Sequence, residues 1–337
     1  MKVFNLIILA AGVPLLALLV YSVGPQALWH EFTLLGWKLV PLVLLEGASN
    51  LFNTQGWRHC LSDSHKLIPF GRVLCLMMAG SSINYLTPTA GLGGEVAKGL
   101  LLAAGREGPL AASAVLLDKL TSALAQLIFI NCGYIIFLNQ VEMPAALHYS
   151  LISATGVLGA GIVGFLVVQR YGKLGALVRW AVHHRLGGAA LRRVSDSMTE
   201  VDYELRRFHR TRSRDLALSV FWHLMGVTWG IIPLFYFLIL TRDLASLQIS
   251  GALAVLGKWF DLVSFAIPTD IGIQEATRVL AFKIIGFPSA VGLTYALTRR
   301  LQQVFWAGIG LALYGLVVST PHFPVPRPDA EGKERIR

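Results

Sequence analysis

The stretch Asn84-Tyr85-Leu86-Thr87-Pro88-Thr89-Ala90-Gly91-Leu92-Gly93-Gly94-Glu95-Val96-Ala97-Lys98 interrupts an otherwise apolar segment, Phe70 to Arg106. Proline cannot donate a backbone bond and glycine weakens a helix, so Thr87 to Gly94 is a break in a membrane-type helix. Backbone polar groups cannot go unsatisfied in lipid, and such a break is tolerated only where protein or a watery cavity surrounds it. A second apolar segment, Ile249 to Phe287, is broken in the same way by Pro268-Thr269-Asp270-Ile271-Gly272. Both breaks are therefore expected inside a bundle of helices.

The rest of the chain supports a bilayer setting. Its 337 residues are 55% hydrophobic and 14% charged, with a mean hydropathy of +0.61, far from the roughly 25% charge of a soluble domain. A span needs about 20 mostly apolar residues. Six runs qualify: Val3 to Val23, Leu34 to Gln55, Leu110 to Leu138, Leu147 to Val168, Leu216 to Leu240 and Pro288 to Val318. The first is too long for a signal-peptide core and reads as a retained span. The expected fold is all-α and polytopic, with about six full spans plus two interrupted or re-entrant helical hairpins. Its first membrane half covers 1–169 with the interruption in 70–106, and its second covers 215–320 with the interruption in 249–287. Between them lies a basic hairpin, 170–214, and the tail, 321–337, rich in proline and charge, reads as disordered. Cys60, Cys75 and Cys132 have no metal-ligand spacing and make no disulfide framework.

Basic residues in short loops favour the cytoplasmic side. Lys2, then Arg58, Lys66 and Arg72, then Arg106, then the segment Arg170 to Arg214, then the tail all fall on one side, whereas the intervening loops hold only Arg242. Both termini are thus expected in the cytoplasm, at the inner (plasma) membrane. The net charge of +10 does not indicate nucleic-acid binding, because Arg170 to Arg214 alone holds eleven Lys/Arg against four Asp/Glu. Within it Leu174, Leu177, Val178 and Ala181, and then Val194, Met198, Val201, Leu205 and Phe208, make two apolar seams at helical spacing. Amphipathic basic helices of this kind suit an anionic lipid surface, and they serve solubility and topology equally well.

The two interruptions share a register. Pro88 precedes Glu95 by seven residues and Lys98 follows by three; Pro268, Glu275 and Arg278 repeat both intervals. Charges follow again in the next span, as Asp118-Lys119 and as Arg299-Arg300. Mirror-placed interrupted helices form an inverted repeat, the pattern of transporters whose substrate site lies near the midplane. A half-helix start offers N–H groups and a positive dipole end to an anion, and Gly91, Gly93 and Gly94 would let that anion approach the backbone. Glycine and proline also serve simply for close helix packing.

Six acids (Glu46, Glu95, Asp118, Asp261, Asp270, Glu275) and six bases (Lys98, Lys119, Lys258, Arg278, Arg299, Arg300) fall in apolar stretches. A charge at a span centre costs about 2.5–3.5 kcal/mol or more, so these must face one another or water. Glu95/Lys98, Lys258/Asp261 and Glu275/Arg278 are i,i+3 neighbours on one helix face. Glu46, Asn50 and Asn53 make one polar stripe and Arg299, Gln302 and Gln303 another, suited to opposite walls of one polar cavity. His223, near Trp222 and Trp229, is a candidate proton-linked residue, although a lone histidine in a span is more often a helix–helix hydrogen bonder.

The paired motifs, Asn84 to Lys98 and Pro268 to Arg278, resemble the transmembrane, flippase-like domain of the bacterial lysylphosphatidylglycerol synthase/flippase family over residues 1 to 320. The resemblance implies interrupted helices around a central polar cavity and movement of a modified lipid between leaflets. The sequence stops at Arg337 with no soluble aminoacyl-transferase domain, so lysine charging of a lipid is not implied. The second motif has Ile273-Gln274 where the first has Gly93-Gly94, and an identical anion cradle is not implied there.

The expected function is therefore an inner-membrane lipid transporter moving an anionic or modified lipid through the cavity, with no catalytic residue, cofactor or metal, and no nucleic-acid partner. A homo-oligomer is compatible with this reading. The competing readings are a membrane-embedded lipid-modifying enzyme using Glu95 or Asp118 as a base, and a scaffold for a lipid-synthesis complex.

Overall fold

The structure is a computed structural model. It describes residues 35–87, 92–103, 108–138, 145–184, 198–241, 245–264 and 273–319, with isolated positions elsewhere. The expected first span, the tail, and the centres of both breaks, including Pro88, Gly91, Pro268 and Asp270, lie outside the described residues. Every regular element among those described is helical.

After a 3-10 turn at Gly36–Lys38, helix α1 covers Leu39–Cys60, α2 Phe70–Leu86 and α3 Gly93–Ala103. Helix α2 stops where sequence chemistry requires: Thr87 is extended (φ −108, ψ 134), as the residue before a proline tends to be. Helix α4 covers Gly108–Gly133 and ends in a π-helical stretch, Tyr134–Leu138. Helix α5 is Ala145–Arg170, α6 Leu174–His183 and α7 Met198–Thr211. The second half contains α8 (Ser213–Trp229), α9 (Ile231–Thr241), α10 (Leu247–Ser264), α11 (Ile273–Ile284) and α12 (Ser289–Ser319). Gly286, at φ +96, turns the chain between α11 and α12, a left-handed position that suits glycine.

Among the described residues three stretches are long and apolar enough to cross a membrane, Gly108–Leu138, Ala145–Arg170 and Ser213–Thr241. The last covers the span expected from Leu216 to Leu240 and carries a turn within it. It divides at Gly230 into α8 and α9, because Pro233 has no N–H with which to continue the ladder. In the second expected span the 3-10 turn leads into α1, which runs past Gln55 to Cys60.

Among the described residues two large apolar cores and a small third one, Ala79, Ile83, Ala97 and Tyr314, hold the bundle. The first large core gathers Leu42, Ile130, Phe237, Leu256 and Phe282; the second gathers Trp57, Leu76, Leu117, Val201 and Leu205. Between them the same helices turn polar. Along α1, Leu42 and Val43 belong to the first core and Trp57 and Cys60 to the second, with Glu46, Ser49, Asn50 and Asn53 in between. Along α4, Ala111 to Leu117 give way to Asp118, Thr121, Ser122 and Gln126 before Phe129. A polar layer is thus held between apolar ones, which is how charges are kept from lipid. The halves interleave, α2 lying along α12 and α1 along α8.

The basic segment forms α6 and α7. Val201, Leu205 and Phe208 pack into the second core, so this seam is used against the bundle. Asp202 accepts hydrogen bonds from the backbone N–H groups of Leu174 and Gly175, at 3.0 and 2.9 Å, which caps α6. In the other expected seam Leu174 is buried, whereas Leu177 is exposed beside Trp180. Val194 lies outside the described residues.

Candidate functional site

The charges collect in two places. The first is closed. Lys98 on α3, 2% exposed, has its Nζ 2.8 Å from Glu95 Oε2 and 2.8 Å from Asp118 Oδ2 on α4, and lies over the Trp57 ring at 4.9 Å. Lys119 reaches Glu95 Oε1 at 3.0 Å from a half-exposed position. The Asn84 amide donates to Glu95 Oε1, and its carbonyl oxygen accepts from the Gly94 N–H at 2.6 Å.

That last bond changes the reading of the glycines. A Cβ on Gly94 would run into the Gly80 carbonyl oxygen and the Asn84 side chain. Gly94 is therefore there for close approach of α2 and α3, and its N–H is occupied by Asn84 rather than presented to an anion.

The second place is open. A cavity of about 180 Å3 is lined by Glu46 and Asn53 of α1, His223 of α8, Lys258 and Asp261 of α10, Arg278 of α11, and Tyr295 and Arg299 of α12, with Ser122 and Gln126 from α4. Arg278 donates to Asp261 Oδ1 at 2.6 Å and to the Gly257 carbonyl at 2.9 Å. Lys258 stands 3.7 Å from Asp261, their side chains 38% and 30% exposed. Arg299 donates to Glu46 at 2.5 Å and to Gln302 Oε1 at 3.0 Å. A second cavity of about 180 Å3 lies on the other side of Glu46, lined by Asn50, Ser81, Tyr85, Gln303 and Trp306.

Of the i,i+3 pairs, Glu95/Lys98 and Lys258/Asp261 form within their helices. Arg278 turns to Asp261 and Glu275 to Arg300 of the following helix, at 2.5 Å. The two polar stripes share not one cavity but two: Glu46, Asn53 and Arg299 line the first, and Asn50 and Gln303 the second, with Glu46 common to both. Gln302 is buried, its Nε2 donating to the Leu42 carbonyl at 2.8 Å.

Sequence spacing missed Asn84, Tyr85 and Trp57. Tyr85 accepts from Arg300 at 3.4 Å, bringing α2 to α12 beside Glu275 of the second interrupted region. The available signal was weak: polar or aromatic groups in the last turn before a break, and a tryptophan near an unpaired-looking lysine. No group of three or more His, Cys, Asp or Glu suited to a metal occurs among the described residues.

Such a molecule is an all-helical, polytopic membrane protein with ionised groups gathered in its interior. The family model for the lysylphosphatidylglycerol synthase TM region matches residues 4–311, and the chain belongs to that family. Its function is accordingly related to membrane lipids. No curated protein and no solved structure matches the chain.

Proposed function

We propose that the protein is a lipid transporter that passes an anionic headgroup through the open cavity while the acyl chains remain in the bilayer. The observation that carries this is the cavity's charge. Among the described residues three bases, Lys258, Arg278 and Arg299, face two acids, Glu46 and Asp261, giving that part of the wall one excess positive charge. A phosphodiester headgroup carries the complementary charge, and a bidentate-capable guanidinium is suited to its oxygens. The cavity is far larger than the 10–15 Å3 needed for one water, so the headgroup can stay partly hydrated.

In this reading the two interrupted regions are an inverted repeat in the inner membrane of a bacterium, and both termini lie in the cytoplasm, as the distribution of Lys and Arg favours. The protein does no covalent chemistry on the lipid, and movement is downhill or ion-coupled. The exposed Leu177 and Trp180 of α6, beside Lys173 and Arg179, rest on the anionic inner surface.

Reconstitution in liposomes with a fluorescent phosphatidylglycerol, quenched from outside, tests the proposal. Exchange between leaflets should be faster than in empty liposomes, and Arg278→Ala should slow it about tenfold or more, the loss of one charge-assisted hydrogen bond. Exchange unchanged by Arg278→Ala and Lys258→Ala together would remove the cavity from the mechanism. A chemically altered lipid would replace the transporter with an enzyme.

A further inference from the structure

His223 joins the closed cluster to the open cavity. It is 3% exposed. Its Nε2 lies 3.0 Å from Asp118 Oδ1, the carboxylate that Lys98 holds, and its Nδ1 lies 3.0 Å from Asn53 Oδ1 on the cavity wall. Both partner atoms are acceptors, and only the imidazolium carries N–H on both ring nitrogens.

Remove that proton and one partner must change. Asp118 is ionised beside Lys98 and can only accept, so Nε2 keeps its hydrogen and Nδ1 becomes an acceptor. Asn53 must then turn its amide through half a circle to donate from Nδ2. The ring lies close against helix α1. A Cβ on Gly56 would lie 2.8 Å from His223 Nε2, and one on Gly226 would lie 2.9 Å from Asn53 Oδ1, so both side chains are packed against helix backbone. What remains adjustable is the proton and the orientation of the amide. With the ring charged, the Asn53 NH2 faces the cavity and can donate to an anion; with the ring neutral, the carbonyl oxygen faces it and repels one.

We propose that His223 binds the proton that accompanies an anionic headgroup into the cavity, and that Asn53 reports that proton to the headgroup by turning its amide. The inference rests on the transporter reading and supplies its coupling ion. The charges facing the ring fit a reversible site. Helix α4 supplies Asp118, with Lys98 of α3 behind it. Helix α1 supplies Asn53 and the buried Cys60, and across the cavity stand Glu46, Lys258, Asp261, Arg278 and Arg299. Histidine is the side chain whose ordinary titration falls nearest neutrality. The proton comes from solvent through the cavity and leaves with the headgroup, and no covalent bond to carbon or phosphorus changes. By linkage, a proton that raises anion affinity is itself held more tightly when the anion is bound.

The test is calorimetric titration of the purified protein with dihexanoylphosphatidylglycerol across pH 6 to 8, in buffers of different ionisation enthalpy. Binding should take up a fraction of a proton that approaches one at the alkaline end, where affinity should fall about tenfold per pH unit. His223→Gln should bind the lipid with no proton uptake and no such pH dependence. Should that variant fail to fold, 15N-histidine NMR of the unaltered protein decides: the His223 midpoint should rise on adding lipid. Lipid binding without proton uptake, or with an unmoved His223 midpoint, overturns this inference and leaves the transporter reading standing. Absence of both binding and leaflet exchange at every pH overturns that reading, and the inference with it.

Discussion

The first and second interrupted regions share, among the described residues, an order of helix, short helix and long helix, and differ in which neighbour balances the charge. In the first, Lys98 is matched by Asp118 on the helix that follows, and the four charges Glu95, Lys98, Asp118 and Lys119 cancel. In the second, Arg278 is matched by Asp261 on the helix that precedes. The place held by Asp118, 23 residues after Glu95, is occupied 24 residues after Glu275 by a base, Arg299. That reversal leaves the second region electropositive, and Arg299 draws its carboxylate from α1 of the other half, Glu46. A similar framework therefore makes a neutral anchor with a buried centre on one side and an open, positive cavity on the other.

The comparison breaks most sharply on removal of each central base. Lys98→Ala strands two buried carboxylates and should cost about 3–5 kcal/mol, whereas replacing Lys98 and Asp118 together by apolar residues should cost less than Lys98→Ala alone. Arg278→Ala, in a half-open ion pair, should cost about 1 kcal/mol or less while suppressing leaflet exchange. Thermal unfolding in micelles, followed by tryptophan fluorescence, measures all three; equal losses for Lys98→Ala and Arg278→Ala would erase the distinction.

A smaller difference is expected at the glycines. Gly94→Ala drives a methyl group into the Gly80 carbonyl, an overpacking that costs about 1–3 kcal/mol. At Gly257 the added methyl meets the end of the Arg278 side chain at 3.0 Å, which can shift, and Gly257→Ala should change stability by less than about 0.5 kcal/mol. The same unfolding measurement would sharpen the contrast, or reverse it.

The smallest effect serves as a reference outside both regions. Asp202→Ala removes the cap on α6 and should cost about 1 kcal/mol locally. Hydrogen exchange of Leu174–His183 should accelerate with leaflet exchange unaltered. Slower leaflet exchange would instead tie the α6–α7 segment to transport.

Helical class, the end of α2 just before Pro88 and the pairs Glu95/Lys98 and Lys258/Asp261 were legible in the sequence, because hydrophobic length and i,i+3 spacing are local properties. Spacing rules reach one turn along one helix. They say nothing of Arg299 with Glu46, 253 positions apart, or His223 with Asp118, 105 apart, which depend on how helices cross. Glu275 lies beside Arg278 in sequence yet turns to Arg300, since a neighbouring helix offers it a guanidinium fork. The role of Gly94 was hidden for the same reason: its occupant, the Gly80 carbonyl, belongs to another helix.

The buried Asp118 also sets a timetable for biogenesis. Helix α3, eleven residues long, rises about 17 Å and cannot cross the hydrocarbon by itself, so Lys98 must be drawn in by α4. Asp118 then waits 105 residues for His223, about 5 to 20 seconds of ribosomal synthesis. A nascent chain halted in that interval would display an incomplete ionic cluster within the lipid, a mark by which membrane proteases could tell an unfinished product from a finished one.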